Sequence, residues 1–264
     1  MQYSHRRYPN IIYPLLTKVF GLLALEDGQV LPGGATRVVS NSSFYPIPIS
    51  DDKYIIIDAG SDRRAKKLKQ FMSNRGLGID SIEAIFLTHA HADHVGAIKV
   101  LAKRSGVRTY VSEHDSLVLN GTKPCEGFLP GLADKFGRRW SAAMPQANLE
   151  IIKDGQVVKI GNLSIRAINI PGHTKGSMGY MVSHGLSGPN VFYVGDALDF
   201  KSDGVSIQRP PRSFSADTDL SNLSIHATSK RVRDLGIDVA AVIPSHSGHG
   251  SINALHNFAK TVRG

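Results

Sequence analysis

Short apolar runs alternate with amphipathic stretches along this chain of 264 residues, and their spacing predicts its elements. In the first half, the apolar runs predict strands at residues 15–25, 36–40, 54–58 and 82–87. Apolar positions at helical spacing predict helices at residues 62–75 and 93–104. Because no linker rich in Gly, Ser or Pro and no internal repeat divides the sequence, we expect one domain over residues 1–264.

The second half of the chain shows the same order of patterns. Apolar runs predict strands at residues 157–160, 163–170, 178–182 and 191–194, then a helix at 217–235, a strand at 239–243 and a final helix. Two strand-rich halves that each end in helices favour an α/β (α+β) fold, with two sheets packed face to face and helices outside. Apolar residues make up 41% of the chain, which is ample for such a core.

The segment between the halves, residues 112–148, carries little strand pattern. Its apolar side chains include Phe128 and Trp140. Two interpretations stay open for it: a lid whose apolar residues line a substrate pocket, or a segment that packs on the edge of a sheet.

Four side chains able to bind a metal lie within six residues, directly after the strand predicted at 82–87. They are His89, His91, Asp93 and His94. Imidazole nitrogens and carboxylate oxygens together suit zinc, iron and similar ions. Because sites of α/β sheets form beyond the carboxyl ends of strands, this spacing predicts a metal site on the loop.

Five motifs, in order along the chain, resemble those of the metallo-β-lactamase superfamily. The HxHxDH run at residues 89–94 resembles its signature, and Asp58-Ala59-Gly60 resembles its strand ending in Asp-Thr-Gly, with Ala59 in place of threonine. The later ligand motifs are matched by Pro-Gly-His-Thr around His173, Val-Gly-Asp ending at Asp196, and Pro-Ser-His ending at His246. The resemblance covers residues 15–250 and implies a four-layer αββα sandwich.

The same resemblance implies a ligand set and a reaction. The implied ligands of one ion are His89, His91 and His173, those of a second ion are Asp93, His94 and His246, and Asp196 bridges the two. Asp58 would orient a ligand histidine through a hydrogen bond, and Asp93 and Asp196 would take part in catalysis. The implied cofactors are two divalent metal ions; Zn²⁺ is the expected metal, and Fe or Mn are alternatives. A hydroxide bridging them would cleave an ester, thioester or lactone-type bond.

Asp196 narrows the branch of the family that the chain resembles. The metallo-β-lactamases proper carry Cys or Ser at that position, so Asp196 favours glyoxalase II, lactonase or phosphodiesterase relatives, with a weak β-lactamase side activity left open. Only 18 residues follow His246, too few for the helical substrate domain of glyoxalase II. Three alternatives remain. They are a persulfide dioxygenase with one iron ion, which His173-Thr174 and the run 195–198 resemble, a nuclease of the tRNase Z type, and a non-catalytic binding module, which would need a damaged site.

The net charge of +9 favours a small anionic substrate. Basic residues of the helix predicted at 62–75 are interpreted as its solvated face, so a nucleic acid is not the expected partner, and the nuclease alternative rests on the charge alone. His249, three residues after His246, is a further candidate substrate contact. The sequence does not indicate an oligomeric state.

The single cysteine, Cys125, excludes an intrachain disulfide framework and fits a reducing compartment. Nowhere does the chain run about 18 apolar residues without a charge, so we expect no membrane span. Pro14 and Lys18 interrupt the apolar stretch near the N-terminus, which we interpret as a strand rather than a secretion signal. These features predict a cytoplasmic location.

Overall fold

The computed structural model describes residues 18–103, 107–135, 149–185 and 187–262. The strands within these ranges are β1 (Val38–Val39), β2 (Ser43–Pro48), β3 (Tyr54–Ile57), β4 (Ile82–Phe86), β5 (Arg108–Val111), β6 (Leu149–Ile151), β7 (Val157–Ile160), β8 (Leu163–Asn169), β9 (Met178–His184), β10 (Asn190–Gly195), β11 (Asp199–Phe200), β12 (Ile207–Gln208) and β13 (Val239–Pro244). The α-helices there are α1 (Lys66–Ser73), α2 (Ile98–Ala102), α3 (Glu113–Leu119), α4 (Phe128–Lys135), α5 (Thr218–Asp234) and α6 (Ile252–Thr261).

The strands form two main sheets. The first has the order β1-β2-β3-β4-β5-β6, antiparallel from β1 to β3 and parallel from β3 to β6. The second has the order β13-β10-β9-β8-β7 and is antiparallel except for the parallel pair β10 and β13. Strands β11 and β12 form a separate two-stranded pair.

Alternating side chains of each sheet serve two different cores. In β3, Ile55 and Ile57 face the second sheet, whereas Tyr54 and Ile56 pack with helices α1 to α3. In β10, Tyr193 faces the first sheet and Phe192 packs with α5 and α6. This period of two is what a sheet buried on both faces requires. The layers are therefore helix, sheet, sheet and helix, which confirms the expected αββα sandwich.

The strand predicted at residues 15–25 is wrong over the part that the structure describes. Residues 18–20 are helical, and Leu22 makes only an isolated bridge with Lys201. The apolar pattern has another cause, because Leu23 packs against the core between the second sheet and its helices. Residues 15–17 lie outside the described ranges.

Five of the described strands were not predicted: β2, β5, β6, β11 and β12. The prolines Pro46 and Pro48 argue against a strand inside a sheet, because proline cannot donate to the ladder. Yet residues 45–48 of β2 pair with β3, while β1 reaches only Ser43 and Phe44. The prolines therefore lie where no strand borders β2 on the other side. Strands β5 and β6 are too short for their pattern to stand out.

Two predicted helices begin several residues late. Helix α1 starts at Lys66 rather than 62, and α2 starts at Ile98 rather than 93. Residues 93–97 instead form a loop tied to the end of β3, with Ala59 N donating to His94 O at 2.7 Å and Gly96 N to Gly60 O at 2.6 Å. This pairing fixes Asp93 and His94 beside Asp58.

The segment expected as a lid begins with a packed helix. Val118 and Leu119 of α3 belong to the core beneath the first sheet, whereas Phe128, at the start of α4, is 72% exposed. Residues 136–148, which include Trp140, lie outside the described ranges, so the lid stays a prediction. Of the helices described, none is both long and apolar enough to cross a membrane.

Candidate metal centre

Loops that follow four strands meet at one edge of the sandwich. The His89–His94 run follows β4, His173 comes four residues after β8, Asp196 directly follows β10, and His246 comes two residues after β13. The structure thus brings all seven predicted ligand residues together.

Three imidazoles converge in the buried part of the cluster. His173 Nε2 lies 2.9 Å from His91 Nδ1 and 3.2 Å from His89 Nε2. Ligand bonds of about 2.0 Å in a tetrahedral zinc site place neighbouring nitrogens about 3.3 Å apart. The three side chains are at most 5% exposed. This is the spacing expected of three ligands of one ion.

The outward-facing hydrogen bonds of two of these imidazoles fix their tautomers. His89 Nδ1 donates to Thr88 Oγ1 at 3.1 Å, and His91 Nε2 donates to the Glu126 carbonyl oxygen at 2.9 Å. Each ring therefore turns an unprotonated nitrogen toward the centre, which is the form that binds a metal.

A second group lies beside the first and contains both carboxylates. His246 Nε2 is 3.2 Å from Asp93 Oδ2, and His94 Nε2 is 3.7 Å from the same oxygen. Asp196 lies between the two groups. Its Oδ2 is 3.4 Å from His173 Nε2 and 3.0 Å from His246 Nε2, while its Oδ1 is 3.3 Å from His94 Nε2. Asp196 is thus placed to contact ions in both groups.

Asp58 supports the centre from behind. Its Oδ2 accepts from His94 Nδ1 at 2.9 Å and from Thr88 Oγ1 at 2.8 Å, and its Oδ1 accepts from Thr88 N at 2.8 Å. The carboxylate is fully buried, and its backbone φ is +58°. Asp58 therefore orients His94 directly and His89 through Thr88.

The donor set fits a cation. His94 Nε2 and Asp196 Oδ1 are buried and make no hydrogen bond within the described part of the chain. Leaving such groups unpaired costs about 1–3 kcal/mol each, and more when charged. A divalent ion between them would satisfy both, and nitrogen and oxygen donors are the ligands that zinc and related ions take.

Charge within the cluster is divided between its two parts. Burial, together with the neighbouring histidines, lowers the pKa of His173 to about 3 and that of His89 well below its usual range. Burial also acts on His94 and His246, but the carboxylates of Asp196 and Asp93 outweigh it and raise the pKa of both histidines well above the usual range. The pKa shifts therefore favour neutral histidines in the first group and protonated histidines in the second.

Among the described residues of the centre, solvent exposure is concentrated on one side. The side chains of Asp93 and His246 are 29% and 24% exposed, whereas that of His94 is fully buried and that of Asp196 is 7% exposed. Asp93 and His246 therefore form the exposed rim of the centre.

Of the predicted substrate contacts, two can be located. Phe128 is exposed and lies, along the chain, two residues after Glu126, whose carbonyl oxygen accepts from His91. His249 is half-buried near Arg37 and Glu26, and its pKa is lowered by burial and by Arg37. It is not among the converging donors found in the described residues.

One buried carboxylate next to the centre was missed. Asp115 in α3 is 1% exposed and accepts from Ala90 N, between His89 and His91, at 3.1 Å. Its sequence signal is weak, because the run Glu113-His114-Asp115 matches no ligand motif. Only its position, just after a strand ending at the same sheet edge, could have pointed to it.

Comparison with known proteins agrees with the geometry. The family model of the metallo-beta-lactamase superfamily matches residues 35–246. The chain belongs to the metallo-beta-lactamase superfamily.

Relatives in this superfamily are similar over much of the chain. The probable metallo-hydrolase YflN of Bacillus subtilis is 26% identical over 242 residues, which cover 85% of this chain and 86% of that protein. A hydroxyacylglutathione hydrolase of Cupriavidus taiwanensis is 27% identical over 186 residues, covering 66% of this chain and 59% of that protein. The chain is accordingly a metallo-hydrolase of the superfamily.

Solved structures share the fold. A B3 metallo-beta-lactamase with an active-site glutamic acid superposes with a TM-score of 0.64 at 22% identity, covering 94% of this chain and 91% of the other. BJP-1, a subclass B3 metallo-beta-lactamase of Bradyrhizobium japonicum, gives a TM-score of 0.61 at 16% identity, covering 93% and 94%. At such identities the similarity describes the architecture alone.

Proposed function

We propose that this metallo-hydrolase holds two divalent ions, with Zn²⁺ as the preferred metal, and that it cleaves a thioester, ester or lactone. His89, His91 and His173 would bind one ion, Asp93, His94 and His246 the other, and Asp196 both. The observation that carries the proposal is the position of Asp196, whose two oxygens lie within 3.4 Å of histidine nitrogens from both groups.

Bound divalent ions supply Lewis acidity and lower the pKa of water toward 7. The side chains of this protein orient the reacting groups and accept the protons that are released. Asp93 stands at the open side, 3.2 Å from His246 Nε2, and is placed to accept a proton from the attacking water. Asp58 holds the His94 ring in place. Because the other candidate ligand side chains are buried, water reaches the described part of the centre at the rim formed by Asp93 and His246.

The proposed substrate class is based on the names of the relatives, on exposed apolar side chains and on the net charge. Relatives named hydroxyacylglutathione hydrolase make a thioester the first class to test, with esters and lactones next. The exposed apolar side chains Phe128 and Leu129 offer a surface for an apolar acyl part. The net charge of +9 favours an anionic molecule.

The test is a panel of thioesters, lactones, aryl esters, a phosphodiester and a β-lactam, assayed with zinc-loaded protein. Asp93→Ala should lower kcat/KM on the best substrate by about 10³-fold or more, because a ligand of the second ion and the proton acceptor at the exposed side are both lost. Cys125→Ser and Asp238→Asn, which remove a thiol and an exposed carboxylate elsewhere, should keep wild-type rates.

Circular dichroism and thermal melting of each variant would show that the fold is kept. Full activity in a folded Asp93→Ala protein would contradict the mechanism. Turnover of the phosphodiester alone would contradict the proposed substrate class.

A further inference from the structure

Asp115 lies behind the first group of histidines and joins two separate loops. Its Oδ2 accepts from Ala90 N at 3.1 Å and from Thr174 Oγ1 at 3.1 Å. Ala90 stands between His89 and His91, and Thr174 follows His173. One buried oxygen is therefore bonded to both backbone segments that carry the three histidines.

The helix that carries Asp115 holds it in place. Ser112 caps α3 by accepting from Asp115 N at 3.2 Å, while Val118 and Leu119 are buried in the core. The loop after His173 also approaches closely, because a Cβ at Gly176 would stand 2.6 Å from the Asp115 carboxylate. The carboxylate has little room to move.

The loop after α3 holds the same region from a second side. Glu126 O accepts from His91 Nε2, and the Glu126 carboxylate accepts from Lys175 N at 2.6 Å. Glu126 thus joins the His91 and His173 segments on the outside, as Asp115 does on the inside.

The second group depends on other contacts. His94 donates to Asp58, and Ser42 Oγ donates to the carbonyl oxygen of Asp93 at 2.7 Å. Before His246, Tyr45 OH donates to the carbonyl oxygen of Pro244 at 2.5 Å. None of the hydrogen bonds described for Asp115 reaches Asp93, His94 or His246.

We propose that Asp115 is a positioning residue for the ion bound by His89, His91 and His173, and that it acts by its two hydrogen bonds rather than by its charge. This inference rests on the ligand assignment of the proposed function. Without those bonds, the His89–His91 loop and the His173 loop lose their common anchor, and the three nitrogens no longer stay at bonding distance.

The experiment isolates each ion in turn. His246→Ala leaves a protein with the first group intact, and His173→Ala leaves the second group intact. Into each background we would introduce Asp115→Ala and Asp115→Asn. Asparagine can place its amide oxygen at the position of Oδ2 and keep both bonds, whereas alanine keeps neither. Zn²⁺ affinity would be measured by competition with a chelating indicator.

In the His246→Ala background, Asp115→Ala should weaken Zn²⁺ binding by about 10–100-fold. Asp115→Asn should keep the affinity within about threefold of its parent, because both hydrogen bonds remain. In the His173→Ala background, both substitutions should change the affinity by less than about twofold. Glu113→Gln, which removes an exposed carboxylate from the same helix, should have no effect in either background.

Each contrary result has its own meaning. Equal losses for alanine and asparagine in the His246→Ala background would overturn the hydrogen-bonding role. Equal losses in both backgrounds would show a general structural role and would also overturn it. If neither background binds a Zn²⁺ ion, the ligand assignment of the proposed function fails and the inference fails with it.

Thermal melting of the metal-free proteins would show whether Asp115→Ala still folds. If it does not, Thr174→Val replaces it, since that change removes the bond to Asp115, together with the one to Ser177, at nearly constant volume. Thr174→Val should weaken Zn²⁺ binding in the His246→Ala background alone, and unchanged affinity there would overturn the proposal.

Discussion

Asp58 combines three hydrogen bonds with a left-handed backbone. It accepts from Thr88 N, Thr88 Oγ1 and His94 Nδ1, and its φ of +58° belongs to a region that Asp and Asn tolerate better than most residues. A carboxylate can accept at both oxygens, whereas an amide can accept at only one. The site therefore needs an aspartate rather than its neutral isostere.

Asp58→Asn should weaken divalent metal binding by about 10–100-fold while leaving the backbone in place. The amide NH₂ group must face either Thr88 N or the two donors at Oδ2, and the negative charge beside His94 is lost. Zn²⁺ affinity by indicator competition checks this, with Asp238→Asn as the matched exposed control. Unchanged affinity in Asp58→Asn would exclude the orienting role.

The pKa pattern predicts that the two ions bind with different pH dependence. Burial lowers the pKa of His89, His91 and His173, so an ion there displaces few protons near neutral pH. Asp196 and Asp93 raise the pKa of His94 and His246, so an ion there must displace their protons. Affinity of the second group therefore rises with pH, up to about 100-fold per unit if two protons leave.

The measurement is Zn²⁺ affinity against pH in the single-group backgrounds. His173→Ala, which keeps the second group, should show a steep rise of affinity with pH. His246→Ala, which keeps the first group, should show a shallow one. The same slope in both proteins would contradict the division of charge.

The convergence of the candidate ligand residues was predictable because their types and spacing form a motif. Asp115 was not, because its role depends on an arrangement of Ala90 and Thr174 that no local pattern records. Trp140 stays a prediction, since it lies outside the described residues.

The loop that carries His173 packs against the start of helix α5. Ala216 N donates to His173 O and Asp217 N to Gly172 O, both at 2.9 Å. A Cβ at Gly172 would stand 2.4 Å from Ser221 Cα, and its φ is +138°. Only glycine allows this close approach of loop and helix.

Gly172→Ala should therefore displace His173 as well as lower stability. We expect about 1–3 kcal/mol of overpacking in addition to backbone strain, and weaker Zn²⁺ binding. Gly76→Ala is the matched control, because Gly76 also has a positive φ, of +72°, but nothing lies within 4 Å of its Cβ position. It should cost about 1–2 kcal/mol and leave the metal affinity unchanged.

Urea unfolding of the metal-free proteins and Zn²⁺ titration would compare the two variants. Equal effects of Gly172→Ala and Gly76→Ala on both quantities would contradict the docking role of Gly172.

Strands with a clear period were predicted to within two residues at each end, as β7 to β9 show. The sequence pattern failed where tertiary contacts decide the backbone. Leu23 is apolar because it packs on a core rather than because it pairs in a sheet, and β2 tolerates Pro46 and Pro48 because β1 is too short to border them. Helix α2 begins late because residues 93–97 form the loop at the centre. Helix α1 begins late because Ala65 has a φ of +53° and the Asp62 carboxylate holds a turn by accepting from Arg64 N and Lys66 N.

The packing of the two sheets and their outer helices determines how deeply each group of candidate metal ligands is buried. Tyr45 and Tyr193, between the sheets, and Val118, beneath the first sheet, fill the cores, and the metal centre lies at the edge where the loops meet. The histidines of the first group are at most 5% exposed, whereas Asp93 and His246 form the rim. In the proposed dinuclear site, one ion would lie in the interior and the other where a substrate could reach it.

The number of ions per chain tests this account most directly. Protein purified without added metal or chelator would be analysed by mass spectrometry for zinc, iron and manganese. We predict about two divalent ions per chain, chiefly zinc, because two groups of donors share Asp196. About one iron per chain, unchanged when zinc is supplied, would contradict a dinuclear hydrolase and favour oxygen chemistry on a sulfur substrate.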